Sequence, residues 1–326
     1  MPTRRWMYIA PISLFCVAAE LIIIFGGHWE AIKSVLSAPE ELEELNGKFY
    51  IFVALMVGQA ALWGYLGSLC GEWVWQIWSS FCKNGPSLRR LPRHYWGAIL
   101  TRFVSVWAAV GVWYYIVRQI HLSWNWDLGP YSQINIRDAG LPGFVLGALG
   151  VSAMWVVEIA VYSSLPPDDL VTPTHLECYL RLREYLGNFL TVTGIVLALG
   201  TLGLNASWEF VKAANKDNRF PHDLIVVFGG VFTVLLGMAY APAYLALRTL
   251  GSDIRDSIVP PALPDDPKPA EKKGGGFELV EKWAENREKL DDLLQLQIRD
   301  WKSFGPQFAI VAPLATGLAS RLIGGK

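Results

Sequence analysis

The stretch LFCVAAELIIIFGG, residues Leu14 to Gly27, decides how the chain is read. Apart from Glu20 it is uncharged and apolar on every face, the pattern of a helix surrounded by lipid or protein. The apolar run begins upstream at Trp6, so Trp6 to Gly27 supplies the ~20 residues that cross roughly 30 Å of hydrocarbon. That is too long for the apolar region of a signal peptide, and no small-x-small cleavage site follows, so a retained first span is expected. A carboxylate at this depth costs about 3 kcal/mol on insertion scales, and its presence calls for a partner, a water-filled cavity or a function.

Composition extends the reading to the whole chain. Of 326 residues, 52% are hydrophobic and 17% charged, too few charges to solvate a soluble protein of this length. A net charge of -1 leaves no basic excess for nucleic acid. Six runs have crossing length: Trp6 to Gly27, Phe49 to Phe81, Tyr95 to Gln119, Pro142 to Tyr162, Tyr185 to Leu204 and Leu224 to Leu247. The expected fold is an all-α polytopic membrane bundle of six spans, with a possible seventh. The second run is long for one crossing, so it tilts or continues along the interface through EWVWQIWSSF, whose three Trp suit the headgroup belt.

Basic residues set the orientation, because Lys and Arg beside spans stay in the cytoplasm. Arg4 and Arg5 precede span one, Lys83, Arg89, Arg90 and Arg93 follow span two, Arg181 and Arg183 precede span five, and Arg248 and Arg255 follow span six. The first outer loop instead carries PEELEEL, whereas Lys212, Lys216 and Arg219 in the third outer loop dilute the asymmetry. The N-terminus and the region after span six are therefore expected in the cytoplasm, and the chain in a membrane such as the bacterial inner membrane. Cys82 and Cys178 fall on that reducing side, and no CxxC pair points to zinc or redox chemistry.

Four regions follow: a six-span domain over 1–250, a linker over 251–276, an amphipathic helix over 277–304 and an apolar segment over 305–326. The linker contains VPPALPDDPKPAEKKGGG, which has too little apolar surface to fold. In the next helix Val280, Trp283, Arg287, Leu290, Leu294, Gln297, Trp301 and Phe304 share one stripe at spacings of three and four. Val280, Trp283, Leu290, Leu294 and Trp301 form its apolar seam, which packs against the chain's own core or lipid, or assembles copies of the chain. The last segment is expected as a re-entrant or interfacial hairpin, with a seventh span as the alternative, because Pro306 and Pro313 shorten it and Arg321 opposes translocation.

Depth along the helices groups the intramembrane charges. Glu20 and Arg118 fall toward the outer leaflet, whereas Glu72 and Glu158 lie at the inner level of Arg102. Each set reads as interhelical ion pairs or as a polar path. Gly67 with Gly71, and Gly143 with Gly147, have the small-xxx-small spacing of close helix contacts. His28, His121 and His222 sit at outer span ends, where a b-type haem is a minor reading and solvation the simpler one. No metal site and no other cofactor are expected, and no phosphate-binding loop, HExxH or GxSxG motif is present. The expected function is a self-associating membrane protein that forms or controls an ion or solute pathway, with the tail as its assembly or regulatory element. The alternative is an accessory or scaffold subunit of a larger membrane complex, and a haem redox protein or an intramembrane enzyme are lesser readings.

Overall fold

The computed structural model describes residues 6–25, 43–84, 141–164, 173–214, 223–260, 275–294, 296 and 301–324, with positions 97, 100–105, 107, 108, 111, 112 and 115 between the second and third of these stretches. Regular structure among these residues is entirely helical. The helices are α1 (Trp6–Phe25), α2 (Glu43–Asn84), α3 (Leu141–Ser164), α4 (Pro173–Ala214), α5 (Asp223–Ile258), α6 (Gly275–Leu293) and α7 (Trp301–Gly324). The described positions from 97 to 115 are helical too. Among the described residues three helices, over Leu45–Ile77, His175–Ala214 and Asp223–Ile258, are long and apolar enough to cross a membrane. Pro11–Ile24, Gly147–Tyr162 and Phe308–Leu322 are apolar but shorter.

α4 is the axis of the bundle, and α2, α3, α5 and α7 all pack on it. Phe189 and Leu190 of α4 are buried with Trp63, Met154 and Leu236 of its neighbours in one continuous core. A second cluster joins α1, α2 and α4 at the far end, where Ile24 meets Phe49, Phe52 and Phe210. The Phe52 and Phe210 rings stack 6.0 Å apart. Apolar side chains also cover the outside: Phe15, Ile22, Val234, Met238 and Leu245 are exposed, as suits lipid-facing surfaces.

Contacts between packed helices fix their directions. Lys48 near the start of α2 pairs with Glu209 near the end of α4 at 3.2 Å, while Gln76 near the end of α2 accepts from Tyr185 early in α4 at 2.8 Å. α2 and α4 are therefore antiparallel. Gly147 and Gly150 of α3 meet Leu197 and Thr193 of α4, so that pair is antiparallel as well.

Several boundaries differ from expectation. α5 runs on to Ile258, well into the expected linker, because Leu250, Gly251 and Ile254 are buried against the bundle. α6 stops at Leu293 and does not continue to 304. The Leu294 carbonyl accepts from Tyr179 at 2.9 Å and from Arg183 at 2.7 Å, so α4 side chains occupy the helix end. Residues 301–324 form one helix rather than a hairpin.

α7 lies along both α4 and α5. The glycines Gly194 on α4 and Gly229 on α5 allow this approach, since a Cβ on either would strike the backbone of Ala309 or Pro313. Close approach was expected at Gly67 with Gly71 and at Gly143 with Gly147, and Gly147 makes it, against Leu197 of α4. Gly71 has open space beside it and lines a groove with Gly67, whereas the α1–α2 contact is made at Gly64, where a Cβ would come within 2.6 Å of Ser13 Cα.

Candidate functional site

Glu20 is fully buried, and neither carboxylate oxygen has a hydrogen-bond partner among the described residues. Arg118, its expected partner, lies outside the described residues. The helix register shows what surrounds this level. Ser13 touches Gly64, and α1 runs antiparallel to α2 toward the Phe52 cluster. Seven residues beyond Ser13, about 10 Å along the axis, Glu20 comes level with the α2 turn that contains Gln59.

Gln59 is itself buried, and its amide donates to the Leu199 carbonyl of α4. Thr201, half a turn further along α4, is also buried and donates to Leu197 at 3.0 Å. A carboxylate, an amide and a hydroxyl thus form a polar layer across α1, α2 and α4 inside an otherwise apolar bundle. The sequence reading found Glu20 and missed Gln59 and Thr201. Gln59 is nonetheless the lone strongly polar residue in MVGQAALW, a signal that depth bookkeeping on charges alone passes over.

The structure joins Arg102 to Glu158. One guanidinium nitrogen reaches both carboxylate oxygens at 2.7 Å, with Glu158 almost fully buried and Arg102 more than a third exposed. Glu72, the other candidate at this level, serves a different chain of bonds: it accepts from Gln76 at 2.9 Å, and Gln76 accepts from Tyr185 at 2.8 Å. Glu72 therefore links α2 to α4, and Glu158 links α3 to the Arg102 segment.

No family model, curated protein or solved structure matches this chain.

The tail helix has its own set of contacts. Trp283 donates to the Pro260 carbonyl at 2.9 Å, and Arg287 donates to Val259 at 2.9 Å and to Asp256 at 2.5 Å. Arg255 of α5 bonds Asp256 and Asp291, each at 2.9 Å. Leu290 is half-buried and Leu294 fully buried. The stripe thus meets the chain's own α5 and α4, which was one of its two expected destinations. The Val280 and Trp301 side chains fall outside the described ones. His28, His121 and His222, the candidate haem ligands, also lie outside the described residues, and among those described no cluster of metal-binding side chains occurs.

Proposed function

We propose that the chain is an integral membrane protein of six or seven crossings that forms or controls a pathway for protons or small cations, with Glu20 as the group on which passage turns. The observation that carries this reading is the burial of Glu20 without a hydrogen-bond partner among the described residues, level with Gln59 and Thr201. An ionisable side chain kept at such cost inside a bundle is a functional group by default. Its neighbours in register offer an amide and a hydroxyl, the groups that relay a proton or replace part of a cation's hydration.

The pattern of basic residues supports a cytoplasmic placement for the α6 end of the bundle. Arg321 supports a seventh crossing, because it pairs with Asp223 at 3.1 Å, at the end of α5 opposite Arg255. The tail then serves as a regulatory cap on the cytoplasmic end of α4 and α5 rather than as an assembly seam, since its polar stripe is engaged within the chain.

The test is flux into proteoliposomes that hold a pH-sensitive dye, under an imposed potential. The wild-type chain should acidify or alkalinise the lumen faster than empty vesicles, and Glu20→Gln should lose that excess while keeping the same thermal unfolding midpoint. Equal flux in the two proteins, or none in either, contradicts the reading.

A second reading has its own support. The Arg102–Glu158 pair and the backbone contacts at Gly194 and Gly229 are features of a rigid scaffold, as an accessory subunit of a larger complex would need. Stable co-purification of other membrane subunits, with no flux from the isolated chain, would favour it.

A further inference from the structure

A groove of about 730 Å³ opens between α1, α2, α3 and α4, many times the space that one water needs. Two ladders of residues line it at steps of four, the spacing that stacks side chains on one side of a helix. On α1 the ladder is Ile12 and Cys16, and its next rung is Glu20. On α2 it descends from Gly71 through Gly67 to Trp63, and its next rung is Gln59. The groove therefore stops one turn, about 6 Å, short of the Glu20 and Gln59 layer.

The two sides of Glu20 differ. Toward the other end of the groove the α2 lining reaches Val74, next to Gln76, whose bond to Tyr185 marks where the apolar run of α4 begins. This is the end of the bundle at which Tyr179 and Arg183 hold the tail. On the opposite side of Glu20, Ile24 and the buried rings of Phe49, Phe52 and Phe210 fill the space between α1, α2 and α4. The groove walls are mostly apolar, but polar atoms recur along them. Ser68 donates to Gly64 and Tyr65, both at 2.8 Å, and Thr193 donates to Phe189 at 2.7 Å, so each hydroxyl oxygen keeps acceptor capacity for water. At the inner end the indole N–H of Trp63 is buried and has no hydrogen-bond partner among the described residues.

We propose that this groove is a water-filled vestibule through which Glu20 exchanges with the α6 side of the membrane, and that the Trp63 indole is the shutter between the vestibule and the carboxylate. The inference rests on the pathway reading of Glu20 and adds to it a side and a gate. Apolar walls suit a gate, because a hydrophobic constriction conducts only when it is wide enough to wet. The next rung beside Trp63 is Gly67, which has no side chain, so the indole has room to swing into the groove. Passage across the whole bundle then requires a second conformation in which the Phe49, Phe52 and Phe210 cluster parts.

The experiment uses the full chain with Cys70, Cys82 and Cys178 replaced by Ala, in vesicles of uniform orientation, which Lys282→Cys on the exposed face of α6 reports. A cationic, membrane-impermeant methanethiosulfonate is applied from either side; it reacts with the thiolate, so its rate reads hydration at the cysteine. Cys16 should react about tenfold faster from the α6 side than from the other. Gly71→Leu, whose Cβ meets nothing within 4 Å, should slow that reaction about tenfold without lowering the unfolding midpoint. With the thiol moved one turn inward, by Glu20→Cys and Cys16→Ala, reaction from the α6 side should be slow, and Trp63→Phe should speed it about fivefold. Equal rates from the two sides, a Cys16 inert from both, labelling that Gly71→Leu leaves unchanged, or a position 20 thiol indifferent to Trp63→Phe would overturn the proposal. None of these rates depends on flux. Flux that requires Glu20 while Cys16 stays inert would strike the vestibule and keep the pathway, whereas the expected labelling without flux would strike the pathway and keep the vestibule.

Discussion

The α4–α5–α7 contact and the α6 contact hold helices in two different ways. In the first, glycines bring backbones together and apolar side chains fill the rest; in the second, Trp283, Arg287, Arg255 and Asp291 grip carbonyls and carboxylates. Solvent explains the difference. Between lipid-facing helices, apolar surface gains little by leaving lipid, so close van der Waals contact has to supply the attraction. At the bundle end, charged groups keep part of their hydration, and hydrogen bonds to a helix terminus become the cheaper means of attachment. The first contact should be insensitive to salt and intolerant of volume, and the second the reverse.

Gly229→Leu should break the comparison most severely. The new side chain collides with the Pro313 backbone, which cannot rotate away, and a loss of about 3 kcal/mol or outright failure to fold is expected. Unfolding midpoints in detergent and the particle profile on size exclusion read this directly. A midpoint unchanged by the substitution would show that α7 does not pack there.

Arg102→Ala comes next. It strands Glu158, which is almost fully buried, and a cost of ~2 kcal/mol is expected, below the range for a wholly buried pair because Arg102 is partly exposed. Adding Glu158→Gln to that variant should restore part of the loss. Additive losses in the double variant would mean that the two residues do not stabilise one another.

Arg287→Ala should cost about 1 kcal/mol at low ionic strength, as hydrogen bonds to Val259 and Asp256 are lost. Its clearest sign is tryptic cleavage in α6, which should accelerate while the bundle survives. In 1 M salt the wild-type tail should become cleavable too, because the Debye length falls to about 3 Å. A tail equally protected in both proteins and at both salt concentrations would remove the distinction between the two contacts. The smallest effect belongs to Arg181→Ala: its pairing with Glu177 is exposed on both sides, so a change under ~0.5 kcal/mol is expected in the same unfolding experiment.

Sequence made some of this legible and hid the rest for identifiable reasons. Helical class followed from apolar runs, and depth along two helices was enough to put Glu158 level with Arg102. Gly229 and Gly194 were not singled out, because glycine is frequent in apolar helices and only the packing partner shows which one is needed. The end of α6 at Leu293 was invisible in the stripe, whose period continues past it; the residues that occupy the Leu294 carbonyl are more than a hundred positions away, on α4. The apolar run of α5 ends at Leu247 in the sequence because charges begin there, yet Leu250, Gly251 and Ile254 remain buried at helical spacing. Of the candidate polar layer, Glu20 stood out by charge, whereas the neutral Gln59 and Thr201 acquire meaning only when three helices are aligned.

The role of Glu20 is tested most directly by infrared difference spectroscopy on the reconstituted chain, as the pH of the bathing solution is stepped. A carboxyl group on a proton or cation pathway must change protonation state when the solution it communicates with changes. A carboxyl band is expected that responds to the step, is absent in Glu20→Gln, and is retained when Glu158 is replaced by Gln instead. A spectrum in which Glu20→Gln leaves every pH-dependent carboxyl band in place would contradict it, and would leave Glu20 as a buried group with no access to a pathway.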